Sequence, residues 1–363
     1  MEKVAIIGAG ACGMLLANLL ADSYQVTLFE KNNKLAKKVL ASGNGKCNFT
    51  NIGDYINKYN NEFAEVIISK FDNNYLRAYL SKLGLAYRVD NENRAYPLSE
   101  NSVSLVDVLK KGLKDVKIRL DTRVDKIESA NDMVKIYHNN TVESFDYIVC
   151  ASGSSASNLG SEYAYNYLKD YDVKFSPLNP SLVPIIVKEN VKSLSGIRVK
   201  CKVNLYKNNE FIYSENGEVL FKDNGLSGIV IYNISSVINR DINAKYLINL
   251  DLLSDSYERI NNDDLLGVVH PKIASYLKEN SINIHEINFN FMSFEDVKLA
   301  QVISGGVSLI EVNHDLSLKK DSRIYVGGEL LDCDGMCGGF NLQFAFSCAF
   351  LINESIRNNK IIQ

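Results

Sequence analysis

The stretch that decides the fold is residues 3–30, which reads KVAIIGAGACGMLLANLLADSYQVTLFE. A short apolar run breaks into a G-x-G-x-x-G turn at Gly8, Gly10 and Gly13, and an apolar helical pattern follows. A second apolar run then ends at Glu30. Strand, glycine turn, helix, strand and acid in this order form the dinucleotide-binding fingerprint in its required context. The sequence therefore predicts a Rossmann-like unit at the start of the chain.

Each residue of the fingerprint has a physical role. Gly8 permits the sharp exit from the strand, Gly10 lets a pyrophosphate approach the backbone, and Gly13 lets the helix pack closely. The helix that starts at Ala11 presents free N–H groups and the positive end of its dipole to the phosphates. Glu30 is placed to accept hydrogen bonds from ribose hydroxyls, and its charge would repel a 2′-phosphate.

The composition limits the class of protein. A chain of 363 residues with 46% hydrophobic residues is expected to form two domains with a sizeable core. The net charge of −3 gives no electrostatic argument for nucleic acid or anionic membrane. No apolar run is long enough to span a membrane. Because a core strand starts almost at the first residue, no signal peptide is expected and the protein is predicted to be cytoplasmic.

The cysteines and histidines predict neither disulfides nor metal. The seven cysteines are scattered, and reduced thiols are expected. The four histidines lack metal-ligand spacing to one another or to a cysteine pair, so no metal site is predicted.

A glycine-containing loop follows the fingerprint at residues 41–51, which read ASGNGKCNFTN. Gly43 and Gly45 stand among small polar residues, together with a lysine and a cysteine. A backbone of this composition can lie against a flat or anionic group, and an ordinary surface turn is the alternative interpretation.

Three predicted strands are each followed directly by a glycine or a serine. They precede Gly8, Ser152 and Gly327, and the last of them is followed at once by an acid, Glu329. Doubly wound sheets bind ligands beyond the carboxyl ends of their strands, so these three turns are expected to converge. An acid at the third turn can hold polyol hydroxyls.

These positions together fit one long ligand. Adenosine ribose is expected near Glu30, pyrophosphate near Gly10, and a ribityl chain near Glu329. A ring would lie between the loops at 43–48 and 338–341, here named the flavin-end loops, where a helix N-terminus can stabilise negative charge on a reduced flavin. This length suits FAD better than NAD, and we expect the two ends of the chain to fold together around it.

The middle of the chain differs, because short β-like runs replace the helical patterns. We predict a discontinuous FAD-binding domain at 1–180 and 298–363. We predict an inserted β-rich substrate or lid domain at 181–297, with a helical segment at about 256–280. Within the first domain, the apolar spacing predicts one helix over 60–83.

Motifs spread over nearly the whole chain carry a resemblance to a known family. They lie at residues 38–51, 94–99, 180–184, 194–197, 217–228, 304–307 and 328–343. On these motifs the chain resembles the HI0933-like flavoproteins, a family that is also labelled aminoacetone-oxidase-like and includes the flavoprotein BaiN. The resemblance implies an α/β fold of the two-dinucleotide-binding type, with a Rossmann-like FAD domain and an inserted β-barrel-like domain.

The resemblance also implies which residues hold FAD. Val124 would meet the adenine through its backbone, and Ser152 stands where relatives have threonine. The implied contacts are Gly8, Gly10, Ala11, Gly13, Glu30, Lys31, Lys38, Gly43, Asn44, Cys47, Asn48, Val124, Ala151, Ser152, Gly153, Gly328, Glu329, Gly339 and Asn341.

The chain departs from the family pattern at two places. Cys337 stands where many relatives have threonine, and Asn44-Gly45-Lys46 replaces a glycine–arginine version. Cys333 and Cys337 could form a redox dithiol, but their spacing fits neither C-x-x-C nor C-x4-C, and two unremarkable thiols are favoured. Cys47 is expected to pack as a neutral thiol rather than to act as a nucleophile.

The leading hypothesis is an FAD-dependent oxidoreductase. It would pass a hydride through flavin N5 between NAD(P)H, a transient electron donor, and an unsaturated or carbonyl small molecule. A flavin oxidase that uses O2 is an alternative. No catalytic residue is assigned, because Tyr96 and Tyr232 are only two of 20 tyrosines that could donate a proton.

Two further classes rank below this hypothesis. An RNA-modifying flavoprotein would need a basic face with interleaved aromatics, whereas lysine and arginine are dispersed here. A plain NAD-dependent dehydrogenase would leave the Glu329 motif without a role. The expected partner is a small-molecule substrate, with no nucleic acid and no membrane, and no oligomeric state is predicted.

Overall fold

The computed structural model describes residues 1–160, 164–253, 265 and 267–362, and the chain divides into two units. Unit 1 comprises Met1–Leu178 and Val302–Gln363, and unit 2 comprises Asn179–Gln301. The helices are α1 (Ala11–Leu20), α2 (Lys37–Ala41), α3 (Glu62–Lys70), α4 (Asn73–Lys82), α5 (Ser102–Lys111), α6 (Asn166–Lys169), α7 (Ile229–Asn239), α8 (Pro271–Glu279) and α9 (Phe340–Ile362). The strands are β1 (Lys3–Ile7), β2 (Gln25–Phe29), β3 (Thr50–Asn51), β4 (Tyr87–Val89), β5 (Arg94–Pro97), β6 (Lys117–Arg119), β7 (Lys126–Ala130), β8 (Met133–His138), β9 (Thr141–Phe145), β10 (Tyr147–Cys150), β11 (Phe175–Ser181), β12 (Ile185–Val187), β13 (Arg198–Lys207), β14 (Glu210–Phe221), β15 (Gly225–Ser227), β16 (Tyr246–Asp251), β17 (Ile287–Phe294), β18 (Val302–Val307) and β19 (Ile324–Val326).

A five-stranded parallel sheet lies at the centre of unit 1, in the order β19-β10-β1-β2-β6. Its inner strands are almost entirely apolar and buried, as a sheet covered on both faces requires. Ile7 lies beside Phe29 on one side and Cys150 on the other. The residues that follow these three therefore leave the sheet at the same edge, and the predicted Rossmann-like fold is confirmed.

Smaller elements surround this sheet within unit 1. Strands β3, β5 and β4 form one antiparallel sheet, and β7, β8 and β9 form another. Helix α9 packs against α1, which brings the two ends of the chain together.

The prediction of a single helix over 60–83 is wrong, because the structure has two helices there, α3 and α4. The chain breaks at Phe71, whose φ is −130°, and at Asp72, whose carboxylate accepts a hydrogen bond from Tyr75 N and caps α4. Phe71 is buried at the break itself and follows Ile67 of α3 by one helical turn. The spacing alone therefore hid the break.

Unit 2 contains a closed six-stranded barrel in the order β12-β15-β14-β13-β16-β17, which confirms the predicted β-barrel-like insertion. Val203 and Phe289 from the barrel share one apolar cluster with Ile231 and Ile234 of α7. Of the helical segment predicted at 256–280, the structure has α8, while residues 256–264 and 266 lie outside the described residues.

Across the described residues, no helix is both long enough and apolar enough to cross a membrane. The same residues contain no cluster of three or more histidine, cysteine, aspartate or glutamate side chains that could hold a metal ion. None of the seven cysteines, all of which lie in the described part of the chain, forms a disulfide.

Candidate cofactor site

The glycine turn after β1 is tightly packed at two positions and open at the third. A β-carbon at Gly8, whose φ is +105°, would lie 2.4 Å from the carbonyl oxygen of Ala151. A β-carbon at Gly13 would lie 1.9 Å from the carbonyl oxygen of Gly8. At Gly10, by contrast, it would meet no heavy atom within 4 Å. The turn is thus pressed against the sheet while Gly10 faces open space.

The first turn of α1 is prepared for an anion. Gly10 precedes the helix without a capping side chain, and the first turn carries no acidic residue. Its backbone N–H groups and the positive end of the helix dipole are therefore available to a phosphate.

Glu30 holds the end of β2 against the glycine turn. Its carboxylate, on a residue only 8% exposed, accepts hydrogen bonds from Ala9 N (3.0 Å) and from Asn32 N (2.9 Å). Thr122 N donates to the backbone oxygen of Glu30 at 2.9 Å, which brings the buried Val124 to the same end of the site. The residues expected to meet adenosine are therefore gathered together.

A charged cluster joins the N-terminal and C-terminal segments. Lys38 Nζ lies 2.7 Å from Glu329 Oε2 and donates to Ser154 Oγ at 3.1 Å. Ser154 Oγ in turn donates to Glu329 Oε1 at 2.5 Å. A β-carbon at Gly328 would lie 3.3 Å from the β-carbon of Cys12, so the turn after β19 touches the start of α1. The expectation that the two ends of the chain fold together is confirmed.

Sequence reasoning chose Ser152 and missed Ser154. The hydroxyl of Ser152 donates to the backbone oxygen of Ala164 at 2.7 Å and lies 2.9 Å from Tyr167 Oη, so it anchors its own loop. Gly153, whose φ is +72°, turns the chain between the two serines. Ser154 is the one that reaches the charged cluster, and no spacing rule distinguishes it in the sequence.

The two flavin-end loops are in contact. A β-carbon at Gly339 would lie 2.6 Å from the carbonyl carbon of Thr50 and 2.7 Å from Asn48 Oδ1. Asn48 Oδ1 is buried and has no hydrogen-bond partner among the described residues. The side chain of Asn341 is occupied, because it accepts from Gly335 N at 2.8 Å and donates to Gly335 O at 2.7 Å. Asn341 therefore shapes its loop, and its backbone is what it can offer a cofactor.

A buried polar network, also missed by sequence reasoning, supports these loops. Thr50 Oγ1 donates to Gln343 Oε1 at 2.6 Å, and Gln343 Nε2 donates to Phe71 O at 3.0 Å and to Ser347 Oγ at 2.9 Å. Ser347 Oγ also donates to Phe71 O at 2.6 Å. All three polar side chains are at most 3% exposed. Satisfied buried networks of this kind fix geometry, since any rearrangement leaves polar groups unpaired.

Burial keeps two of the thiols at this end protonated at neutral pH, those of Cys47 and Cys333. Burial raises the pKa of Cys47 to about 11. Burial also raises the pKa of Cys333 well above its usual value, although a hydrogen bond with Asn61 lowers it somewhat. Cys337 is half-buried. A thiolate nucleophile therefore has no support at Cys47 or Cys333.

The residues present fit FAD. Open space beside Gly10, the uncapped start of α1 and the orphaned acceptor Asn48 Oδ1 are each features that a bound dinucleotide would satisfy. Three further predicted contacts, Lys31, Gly43 and Asn44, are exposed.

This sheet and its glycine turn form a Rossmann-like FAD-binding fold, and the family and its relatives are FAD-dependent oxidoreductases. The chain belongs to the HI0933-like family, since the family model described as "HI0933-like protein Rossmann domain" matches residues 2–355.

Three comparisons place the chain among known proteins. It is similar to a 3-dehydro-bile acid delta(4,6)-reductase of Clostridium scindens, with 27% identity over 98% of this chain and 99% of that one. It is also similar to a ribosomal RNA dihydrouridine synthase of Haemophilus influenzae, with 26% identity over 97% of each chain. Among solved structures, 3-ketosteroid delta1-dehydrogenase from Sterolibacterium denitrificans matches with a TM-score of 0.56 and 11% identity, covering 99% of this chain and all of that one.

Proposed function

We propose that this chain passes a hydride between NAD(P)H and a small molecule whose carbon–carbon double bond is conjugated to a carbonyl group. The observation that carries the proposal is the continuous series of sites along one sheet edge, from Glu30 past Gly10 to the Lys38–Glu329 pair. The names of the two full-length relatives support it, because a delta(4,6)-reductase and a dihydrouridine synthase both saturate a carbon–carbon double bond.

The proposed contacts divide along the length of FAD. Glu30 and Val124 would hold the adenosine, and Gly8, Gly10 and Gly13 with Ala11 and the rest of the first turn of α1 would hold the pyrophosphate. Lys38, Glu329, Ala151 and Gly153 would hold the ribityl region. Lys31, Gly43, Asn44, Cys47, Asn48, Gly328, Gly339 and Asn341 would complete the contacts, and Ser152 would contribute its backbone.

Bound FAD would supply the hydride-transfer chemistry. The chain's own contribution is to hold this group in one position. Lys38 and Ser154 each bind one oxygen of Glu329, so the carboxylate has a fixed orientation before any ligand arrives. The Gln343 network fixes the two flavin-end loops relative to each other. We propose that residues 181–297 carry the side chains that choose the substrate.

A nucleobase within RNA is a second candidate substrate. The similarity to a ribosomal RNA dihydrouridine synthase over 97% of both chains favours it. The net charge of −3 opposes it, because RNA binding draws much of its affinity from basic residues. An enone and a uracil ring are alike in presenting a double bond next to a carbonyl, so the same reductive chemistry would serve either substrate.

An anaerobic experiment tests both candidates. The purified chain is loaded with FAD, and the flavin absorbance is followed while NADH or NADPH is added in separate runs. We expect at least one of them to bleach the flavin. The reduced protein is then mixed with a steroid enone, with ribosomal RNA, or with O2, and the rate at which the colour returns is measured.

The three electron acceptors distinguish the hypotheses. Fast return with the enone supports the small-molecule reductase, and fast return with RNA replaces it by the second candidate. Fast return with O2 alone identifies an oxidase. If neither nucleotide bleaches the flavin, the proposed electron donor is wrong.

A further inference from the structure

A second charged cluster in unit 1 consists of Lys46, Arg88 and Glu100, none of which belongs to the proposed FAD contacts. Lys46 Nζ lies 2.9 Å from Glu100 Oε2, and an Arg88 guanidinium nitrogen lies 2.6 Å from Glu100 Oε1. One carboxylate therefore bridges two cations. All three side chains are 37–53% exposed, so the cluster is accessible from solvent.

The cluster lies at a flavin-end loop. Lys46 belongs to the loop at 43–48, and the guanidinium of Arg88 sits 5.5 Å from the centre of the Tyr96 ring. That ring in turn lies 3.9 Å from where a β-carbon of Gly43 would stand. Arg88 and Tyr96 face each other across neighbouring strands of the small sheet, which fixes their positions.

Glu100 is held in place by the two cations at some conformational cost. It lies on an exposed turn with a φ of +50°, a left-handed conformation that a side chain other than glycine adopts only at an energetic penalty. Its hydrogen bond with Lys46 and the charge of Arg88 lower the pKa of its carboxyl group, so it stays ionised. Arg88 Nε is buried and has no hydrogen-bond partner among the described residues. The guanidinium therefore pairs with Glu100 through a terminal nitrogen, while Nε stays unpaired.

We propose that Lys46 and Arg88 form a binding site for an oxyanion of a reactant that enters beside the flavin-end loops, and that Glu100 occupies this site until the oxyanion displaces it. Planar arginine and flexible lysine side chains together are suited to phosphate and carboxylate groups. The oxyanion belongs either to the pyrophosphate of the nicotinamide dinucleotide or to an acidic group of the substrate. The identity of that reactant rests on the proposed function, whereas the presence of an anion site does not.

The first experiment measures anion binding without catalysis. The full chain, loaded with FAD to fill the cofactor's own pyrophosphate site, is titrated with inorganic pyrophosphate by calorimetry. Lys46→Gln and Arg88→Gln are each expected to weaken binding by about tenfold, the loss of one charge-assisted contact. Glu100→Gln is expected to tighten binding by about tenfold, because the internal competitor loses its charge.

The direction in which Glu100→Gln changes the affinity for pyrophosphate tests the proposal. If Glu100 only braces the two cations, its removal loosens the site and weakens pyrophosphate binding, which overturns the proposal. Unchanged binding in Lys46→Gln and Arg88→Gln overturns it as well. The exposed pair Lys110 and Asp107, 3.2 Å apart on α5, supplies matched controls. Lys110→Gln removes one positive charge, as Lys46→Gln and Arg88→Gln do, and Asp107→Asn removes one negative charge, as Glu100→Gln does. Both control variants are expected to leave pyrophosphate binding unchanged.

Separate half-reactions then identify the reactant. If the dinucleotide supplies the oxyanion, Arg88→Gln slows flavin bleaching at low NADH and at low NADPH by about the same factor. If the substrate supplies it, bleaching keeps its rate and recolouring by an acidic acceptor slows instead, while a neutral acceptor is unaffected. Anion binding without an effect on either half-reaction contradicts the assignment to a reactant, and leaves the reductase itself intact.

Discussion

The two ends of the cofactor site are built in different ways. At the pyrophosphate end, the bond from Ala9 N to Glu30 spans 21 residues, and the glycine turn and α1 lie within one strand–helix–strand unit that Glu30 follows directly. At the flavin end, the bond from Lys38 to Glu329 spans 291 residues, and that from Thr50 to Gln343 spans 293. The first end is encoded by a contiguous stretch, whereas the second exists only after both termini of the chain have assembled.

Gly13→Ala is expected to destabilise the pyrophosphate end more than any other change considered. Alanine would gain about 1 kcal/mol of helix propensity over glycine. Its β-carbon, however, would lie 1.9 Å from the backbone oxygen of Gly8, which cannot move aside as a flexible side chain would. We expect a net loss of about 3 kcal/mol or more in the free energy of unfolding, measured by urea denaturation. A loss below 1 kcal/mol would show that α1 packs less closely than described.

Gly10→Ala separates folding from ligand binding at the same end. Gly10 has a φ of −82°, which alanine adopts without strain, and its β-carbon would meet no atom within 4 Å. Without FAD the free energy of unfolding should change by less than about 0.5 kcal/mol. The methyl group would nevertheless occupy the space where we propose that the pyrophosphate lies, so the Kd for FAD should rise about 100-fold, or about 2.7 kcal/mol. Unchanged FAD affinity would place the pyrophosphate elsewhere.

Gln343→Leu tests the flavin end. The change leaves the Thr50 hydroxyl without its acceptor and the Phe71 carbonyl with one donor fewer, all in a buried region. We expect a loss of about 2 kcal/mol in the free energy of unfolding, as for other broken buried hydrogen bonds. Asn358→Leu removes an exposed amide from the same helix and should change stability by less than about 0.5 kcal/mol. If the two variants lowered the free energy of unfolding equally, the Gln343 network would not contribute to stability.

The same contrast explains how much could be predicted from the sequence. The β1–α1–β2 unit was predictable because its apolar runs, its glycine spacing and its terminal acid all lie within residues 3–30. Glu329 and the flavin-end loops were found because their glycines and acid form recognisable motifs. Ser154 and Gln343 were missed, since a serine or glutamine that bonds to a distant segment leaves no periodic signal.

The break between α3 and α4 was missed for a related reason. Apolar periodicity reports which positions are buried, and the buried Phe71 stands at the break itself, so the apolar pattern shows no gap there. The signal that could have revealed it was Asp72, an N-capping residue in the middle of an apolar pattern.

Alkaline pH offers the mildest test of the flavin end, through Cys47 in its loop. Burial raises the pKa of this thiol from about 9 to about 11 in the folded chain. Below pH 9 the thiol is neutral in both states, and its contribution to stability is fully present. As the pH rises from 9 to 11 the unfolded chain loses the proton first, so stability should fall by at most about 1.4 kcal/mol per pH unit from this group. In Cys47→Ala this component is absent, while every other titrating group still contributes. The free energy of unfolding of each protein, measured by urea denaturation, is plotted against pH from 8 to 10, and the difference between the two slopes isolates Cys47. Equal slopes would mean that water reaches the thiol and that the loop is open.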